Sequence, residues 1–396
     1  MKILIVHNSY QQQGGEDIVF EQEKKLLQQQ GHAVSVYQRS NLEMTQMTFF
    51  EKIKLFFGIT WSKKSYNEIL DIIDKTRPDL AHIHNTFCLI TPAVVHACKS
   101  RGLPVVVTLH NYRLLCPRAD FYIHNHVCEK CTAKKNWLYY PALLYGCYHN
   151  SRFQTLAVAV MLTFHRLIKT WYKHVNVFIA LTEFSRQKFI AGGLPSNRII
   201  VKPNFTVRSQ IPLLERDPYG IYVGRLSPEK SLLTLMKAMK VNYQFPLKII
   251  GTGKDEFMLK EFSKNENLSH IQFCGHLPKT AVLLLLRKAL FLVLPSNWFE
   301  GFPLVIVEAF ANGVAVITSR IGSMQEIVED QVTGLHFTPG DAGDLAKKIQ
   351  WAATHPQEIL AMGQRAYQQY LEKYSPEKNY DRLIEIYDLA MQRSPV

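Results

Sequence analysis

The stretch Leu290-Phe-Leu-Val-Leu-Pro-Ser-Asn-Trp-Phe-Glu300-Gly-Phe-Pro-Leu-Val-Ile-Val-Glu308-Ala-Phe-Ala311 changes character twice. Its first residues are continuously apolar, as in a strand covered on both faces. The strand ends at Pro295 and a polar loop carries Glu300 and Gly301. Pro303 then suits the first turn of a helix, Leu304–Ala311, because its missing N–H would be unsatisfied there anyway. Strand, loop, then helix is the unit of a parallel sheet.

The same alternation extends outward in both directions. Short Val/Ile/Leu runs lie at Ile3–Val6, Val34–Tyr37, Leu80–Ile83, Val105–Leu109, Val177–Leu181 and Ile199–Val201. A second series follows at Ile221–Val223, Leu247–Ile250, Ile271–Phe273, Leu290–Leu294, Val314–Ile317 and Leu335–Phe337. Helical patterns such as Ile18–Gln30 and Leu232–Met239 separate several of them. The spacing predicts an α/β chain with two Rossmann-like parallel-sheet domains facing across a cleft. The 396 residues suit two domains at roughly 100–200 residues each. Pro203, Pro212 and Pro218 mark the join, where no periodicity survives.

Composition narrows the function. Apolar residues make up 47% and charged residues 20%, enough to bury cores and too apolar for disorder. Residues 1–205 carry 25 Lys/Arg against 13 Asp/Glu, net +12, whereas residues 206–396 carry 21 against 20. A basic half and a neutral half imply different partners. No apolar run reaches the ~18 residues of a spanning helix, and Met1–His7 has no secretory character. The expectation is a cytoplasmic protein, peripheral on the inner face of a membrane. Seven cysteines in a reducing compartment are expected to stay unpaired.

Open parallel sheets bind ligands beyond the carboxyl ends of their strands, and the chemistry gathers there. The amides of Gly301, Phe302, Pro303 and Leu304 mark a helix start that favours an anion, Pro303 lending only its ring. Glu308, over a turn along, can accept both hydroxyls of a ribose-like diol, and Glu300 can hold sugar hydroxyls. Gly224 allows a tight turn before Arg225 and Lys230, a planar fork and a point charge suited to a diphosphate. Gly251 and Gly253 form another strand-end turn, and His276 ends a third. In the first half, Gly14 and Gly15 allow backbone to approach a phosphate. His110 stands at the end of a strand. Glu183 and Asn204 are weaker candidates.

The Gly224-Arg-Leu-x-x-x-Lys230 loop, the Gly251-x-Gly253 turn and the Glu300-x7-Glu308 spacing, in this order, resemble the donor-binding domain of retaining glycosyltransferases of family 4, which have the GT-B fold. The terminal Tyr374-Ser-Pro-Glu-Lys stretch is similar too. The resemblance implies an N-terminal domain 1–205, a nucleotide-sugar domain 206–375 and a last helix 376–396 crossing back to the first domain. It implies Arg225 and Lys230 on the diphosphate of a nucleotide-sugar donor, Glu308 on its ribose, and Glu300 and His110 on the transferred sugar. It places the Gly14-Gly15 loop over the diphosphate. It also implies attack from the departing face, with retention, and no catalytic metal or other catalytic cofactor; no Asp-x-Asp is present to hold a cation.

Two segments point to further partners. Phe49–Tyr66 sets Phe50, Ile53, Phe56, Phe57 and Trp61 beside Lys52, Lys54, Lys63 and Lys64. That is either a face for an anionic membrane surface or a core helix with a solvated basic side. Residues 151–174 repeat the theme, so the expected acceptor is a glycan, lipid-linked or phosphorylated. Cys116, Cys128, Cys131 and Cys147, within an insertion at 116–147, are either ligands of a structural zinc or four reduced thiols. The rivals are a nucleotide-sugar epimerase of the same fold, a basic zinc-containing nucleic-acid binder and an inactive sugar-binding module. No motif interleaves the basic charge with aromatics as nucleic-acid binding needs, so no nucleic-acid partner is expected.

Overall fold

A computed structural model describes every residue except 12–13, 133–137, 209–214, 242–244 and 394–396, together with the side chains of Phe49, Lys52 and Ile53. The chain divides into two compact units. One holds Met1–Phe121, Cys128–Pro203 and Asn379–Val396; the other holds Tyr122–Val127 and Asn204–Lys378. Pro212 of the join expected from the sequence lies outside the described residues.

In the first unit six parallel strands form one sheet: β1 (Lys2–Ser9), β2 (Ala33–Ser40), β3 (Leu80–Asn85), β4 (Val105–Leu109), β5 (Val177–Ala180) and β6 (Ile199–Val201). Their order is β2-β1-β3-β4-β5-β6. The second unit builds another from β7 (Asp217–Val223), β8 (Leu247–Ile250), β9 (Ile271–Gly275), β10 (Ala289–Leu294), β11 (Ala315–Ser319) and β12 (Gly334–Phe337), in the order β9-β8-β7-β10-β11-β12. All of its pairings are parallel as well. Each apolar run read from the sequence falls on one of these strands, with Leu181 and Val314 one residue outside theirs.

The reason is plain in β3, β4 and β10, where every residue is buried. Each buried Leu, Ile, Val or Phe contributes about 1.5–3 kcal/mol, and only a two-sided sheet hides them all. The helix Gly15–Gln29 covers the first sheet with Val19, Phe20, Leu26 and Leu27. It starts three residues before the expected Ile18, because Asp17 at its third position accepts the Gly14 N–H at 2.7 Å and caps it. The last helix, Pro376–Gln392, sets Leu383, Ile386, Tyr387 and Ala390 into the core of the first unit with Ile3, Ile5 and Val106.

Phe49–Tyr66 is not one helix. It breaks after Phe49–Gly58, and a second helix starts at Lys63 behind a Ser62 cap. Phe56 stacks on Phe153 at 3.9 Å and Trp61 packs on His96 and His165. Phe57 stays 75% exposed. The segment thus splits between core and surface.

Candidate active site

Both sheets reverse their strand order once, and ligands of open parallel sheets bind at that reversal. In the second unit it lies between β7 and β10. The loop after β7 carries Gly224, Arg225 and Lys230; the loop after β10 carries Ser296 to Pro303. Lys230 Nζ lies 2.6 Å from Glu300 Oε1, which also accepts the Ser296 hydroxyl at 2.7 Å. The Ser323 hydroxyl fixes the Glu300 carbonyl at 2.6 Å, and the Lys230 ammonium sits 5.5 Å from the centre of the Trp298 ring. Burial alone would raise the Glu300 carboxyl. The Lys230 ammonium and the hydrogen bonds from Lys230 and Ser296 outweigh it and hold the group below its ordinary value. Glu300 is therefore an ionised, fixed carboxylate.

Arg225 is tethered more loosely. Its guanidinium meets Glu229 at 3.2 Å with a side chain 66% exposed, a pair worth about 0–1 kcal/mol. Its carbonyl accepts the Tyr222 hydroxyl at 2.8 Å. Gly251 has φ +133°, and a Cβ there would run into the Gly224 carbonyl; one at Gly253 would run into Leu226. The two glycine turns thus interlock, and β8 positions the Arg225 loop. Glu308 is buried on the helix Leu304–Ala311, which follows Pro303 directly, and its carboxylate pairs with Lys279. That pair is separate from Lys230–Glu300. His276 is exposed.

The first unit holds a second polar group. Three His-Asn pairs, His7-Asn8, His84-Asn85 and His110-Asn111, stand at the ends of the adjacent strands β1, β3 and β4. His110 Nε2 lies 3.0 Å from His84 Nδ1, and His84 Nε2 lies 3.5 Å from Glu23 Oε2. Glu23 Oε1 meets Lys202 Nζ at 2.6 Å, both side chains 1% exposed. With the His84 proton on Nε2, facing Glu23 Oε2, His84 Nδ1 accepts from His110 Nε2–H, which leaves a lone pair on His110 Nδ1. Burial holds both His84 and His110 well below the usual histidine value, so both are neutral. His82 bonds the Tyr387 hydroxyl at 2.8 Å and Thr108 at 2.7 Å.

Glu23, His82 and His84 have ligand atoms within 4.8 Å of one another. A cation there would compete with the Lys202 ammonium and with both His82 bonds, so the geometry suits a proton network instead.

The Gly14 N–H, expected to face a phosphate, is spent on Asp17 Oδ2, whose other oxygen holds His7 Nε2 at 2.8 Å. Asp17 wins because it lies one helical turn along the chain. Glu183 pairs with Arg186 at 2.8 Å on the surface, and Asn204 is buried. Glu16, Asp17, Glu23 and Lys202 were not singled out in the sequence. The repeated His-Asn at strand ends, and an acid at 23 within the apolar stripe of Phe20 and Leu27, were their signals.

The four cysteines are neighbours in the first unit. Burial pushes the Cys131 thiol up to about 12 and the Cys147 thiol up to about 11, with Cys116 and Cys128 adding to each. Among the described residues they do not form a group of three ligand atoms within 4.8 Å of one another.

Residues 204–369 match the family model described as glycosyl transferases group 1, and residues 14–208 match that of glycosyltransferase family 4. The chain belongs to glycosyltransferase family 4. This family 4 chain is 34% identical over 193 residues to an uncharacterized glycosyltransferase of Methanocaldococcus jannaschii, covering 48% of the chain and 54% of that relative. It is 26% identical over 195 residues to the O-antigen chain mannosyltransferase B of Escherichia coli, covering 44% and 50%. The match thus spans about half the length of these curated relatives. The fold is GT-B. The solved structure of Anabaena HepE in complex with UDP superposes with a TM-score of 0.69 at 17% identity, over 98% of this chain and 100% of that one.

Proposed function

We propose that this family 4 glycosyltransferase is a retaining enzyme that moves a hexose-type sugar from a nucleotide-diphosphate donor to a hydroxyl of a lipid-linked glycan. The observation that carries the reading is the ion pair of buried Glu300 with half-buried Lys230 at the strand-order reversal, with Arg225 on the same loop. Cleavage of the bond between the anomeric carbon and the diphosphate puts charge on the leaving phosphate. Two cations from one loop stabilise it, and Glu300 holds the sugar hydroxyls. Glu308 takes the ribose.

The mannosyltransferase relative supports a glycan acceptor. Surface chemistry supports a membrane-bound one. Phe57, Phe153, Val160 and Leu167 are 51–75% exposed on helices that also present Lys54, Arg152 and Arg166. Lys52 and Ile53 of the same stretch lie outside the described side chains. Apolar groups ringed by cations suit an anionic lipid surface. Among the described residues no helix is long and apolar enough to cross a membrane. A structural zinc on Cys116, Cys128, Cys131 and Cys147 belongs to the same proposal: the four thiols have the right donor chemistry, and binding would have to draw them closer together than they stand.

Thermal melting with a panel of nucleoside diphosphates and their sugars tests the reading. A ligand at 100 times its Kd adds about 2.7 kcal/mol. The expected result is stabilisation by one nucleoside diphosphate and its sugar, and transfer with retention read by anomeric NMR. Indifference to the whole panel would falsify the proposal.

A further inference from the structure

Glu308 is buried on the helix after β10, and the Lys279 ammonium meets its carboxylate; among the described residues no other Lys or Arg lies within ion-pair distance of it. Lys279 opens the helix Lys279–Lys288, which follows β9. A cation in the first turn opposes the helix dipole, so helix stability does not account for a lysine there. Its side chain is 51% exposed. One of its N–H donors goes to Glu308 Oε1, and the others have no partner among the described residues. A carboxylate offers about four lone-pair positions, so Glu308 keeps room for a diol while the ammonium stays in place.

We propose that Lys279 selects the base of the donor, favouring uridine over guanosine. The inference rests on the reading of Glu308 as the ribose residue, and every residue it uses belongs to the second unit. The strand order there begins β9-β8-β7-β10. The diphosphate cations Arg225 and Lys230 follow β7, whereas Lys279 follows β9, two strands further out. A nucleotide runs in the order diphosphate, ribose, base. With its diphosphate on the β7 loop and its ribose on Glu308, its base extends to the side that Lys279 occupies.

The base edge nearest the ribose is the one that a duplex shows in its minor groove. A pyrimidine presents its O2 carbonyl there, an acceptor, whereas guanine presents its N2 amino group, a donor. An ammonium donates and cannot accept. Beside the ribose it gains a charge-assisted hydrogen bond to uracil O2. Against guanine it sets donor to donor, and neither group finds a partner. The discrimination therefore turns on one exocyclic amino group.

Calorimetric titration of the full chain with UDP, GDP and inosine diphosphate tests the assignment. Wild type should bind UDP tighter than GDP by about tenfold or more, the effect of one hydrogen bond to a charged group. Inosine diphosphate, which is the guanine compound without its amino group, should bind tighter than GDP. Lys279→Met should bring the three affinities together, and Lys279→Arg should keep them apart. Lys230→Ala, acting on the diphosphate that all three share, should weaken them alike. A wild type that prefers GDP or makes no distinction overturns the assignment. So does a Lys279→Met variant that weakens UDP and GDP by the same factor, since that marks an ion pair serving only to hold Glu308. Failure of wild type to bind any nucleoside diphosphate is a different result: it removes the donor reading, and the assignment falls with it.

Discussion

Lys202→Met should be among the most damaging single changes in the first unit. Lys202 and Glu23 are each 1% exposed, and Nζ lies 2.6 Å from Oε1. Removing one partner leaves a carboxylate in the core, with His84 Nε2 at 3.5 Å as its nearest polar neighbour. Breaking such a pair costs about 3–5 kcal/mol. For a unit of 150–250 residues each kcal/mol shifts Tm by about 2–4 °C, so the transition of the first unit should fall by roughly 6–20 °C. Glu23→Gln combined with Lys202→Met removes both charges and should regain at least half of that loss, because no ion is left uncompensated. Calorimetry of wild type, both single variants and the double variant measures the coupling directly. A loss below about 1 kcal/mol for Lys202→Met, or a double variant no better than the singles, would mean that water or His84 already satisfies Glu23 and that the network has no electrostatic role.

Lys230→Ala and Glu300→Ala should each reduce sugar transfer by about 10²–10³-fold while the far-ultraviolet spectrum is kept; full rates in either remove that residue from the chemistry. Acidification should destabilise the first unit. Burial lowers His82 to about 4, and His84 and His110 lie well below their usual value too. The unfolded chain therefore binds more protons between about 6.5 and 4, and the stability present above 6.5 is lost as pH falls through that window. Glu16, raised to about 7, works in the opposite sense, so a Tm that rises on acidification would show that it outweighs the histidines. Zinc analysis of protein purified without chelator should find about one ion per chain, released when Cys128 and Cys131 are both changed to Ser; no zinc would leave four reduced thiols.

The strands were legible because two-sided burial writes itself as unbroken Val/Ile/Leu runs, and the donor-side motifs because short-range turns follow them. Helix starts were less so: Asp17 moved one by three residues through a cap that competes with any phosphate for the Gly14 amide. Pairings across long separations were illegible. Nothing near Lys202 announces that its ammonium will meet an acid 179 residues earlier. Glu16 was passed over as an ordinary first-turn acid, which favours any helix start; only the fold shows that two asparagines, 69 and 95 residues away, close on it.

The last helix has a consequence for biogenesis. Tyr387 supplies the hydroxyl that His82 bonds, Asn379 holds the Pro203 carbonyl at 3.0 Å, and Leu383 and Ile386 complete the sheet's apolar cover. These groups leave the ribosome after the whole of the second unit. The nascent first unit must therefore wait with a bare sheet face while its downstream neighbour is synthesised, a window in which chaperones would find it.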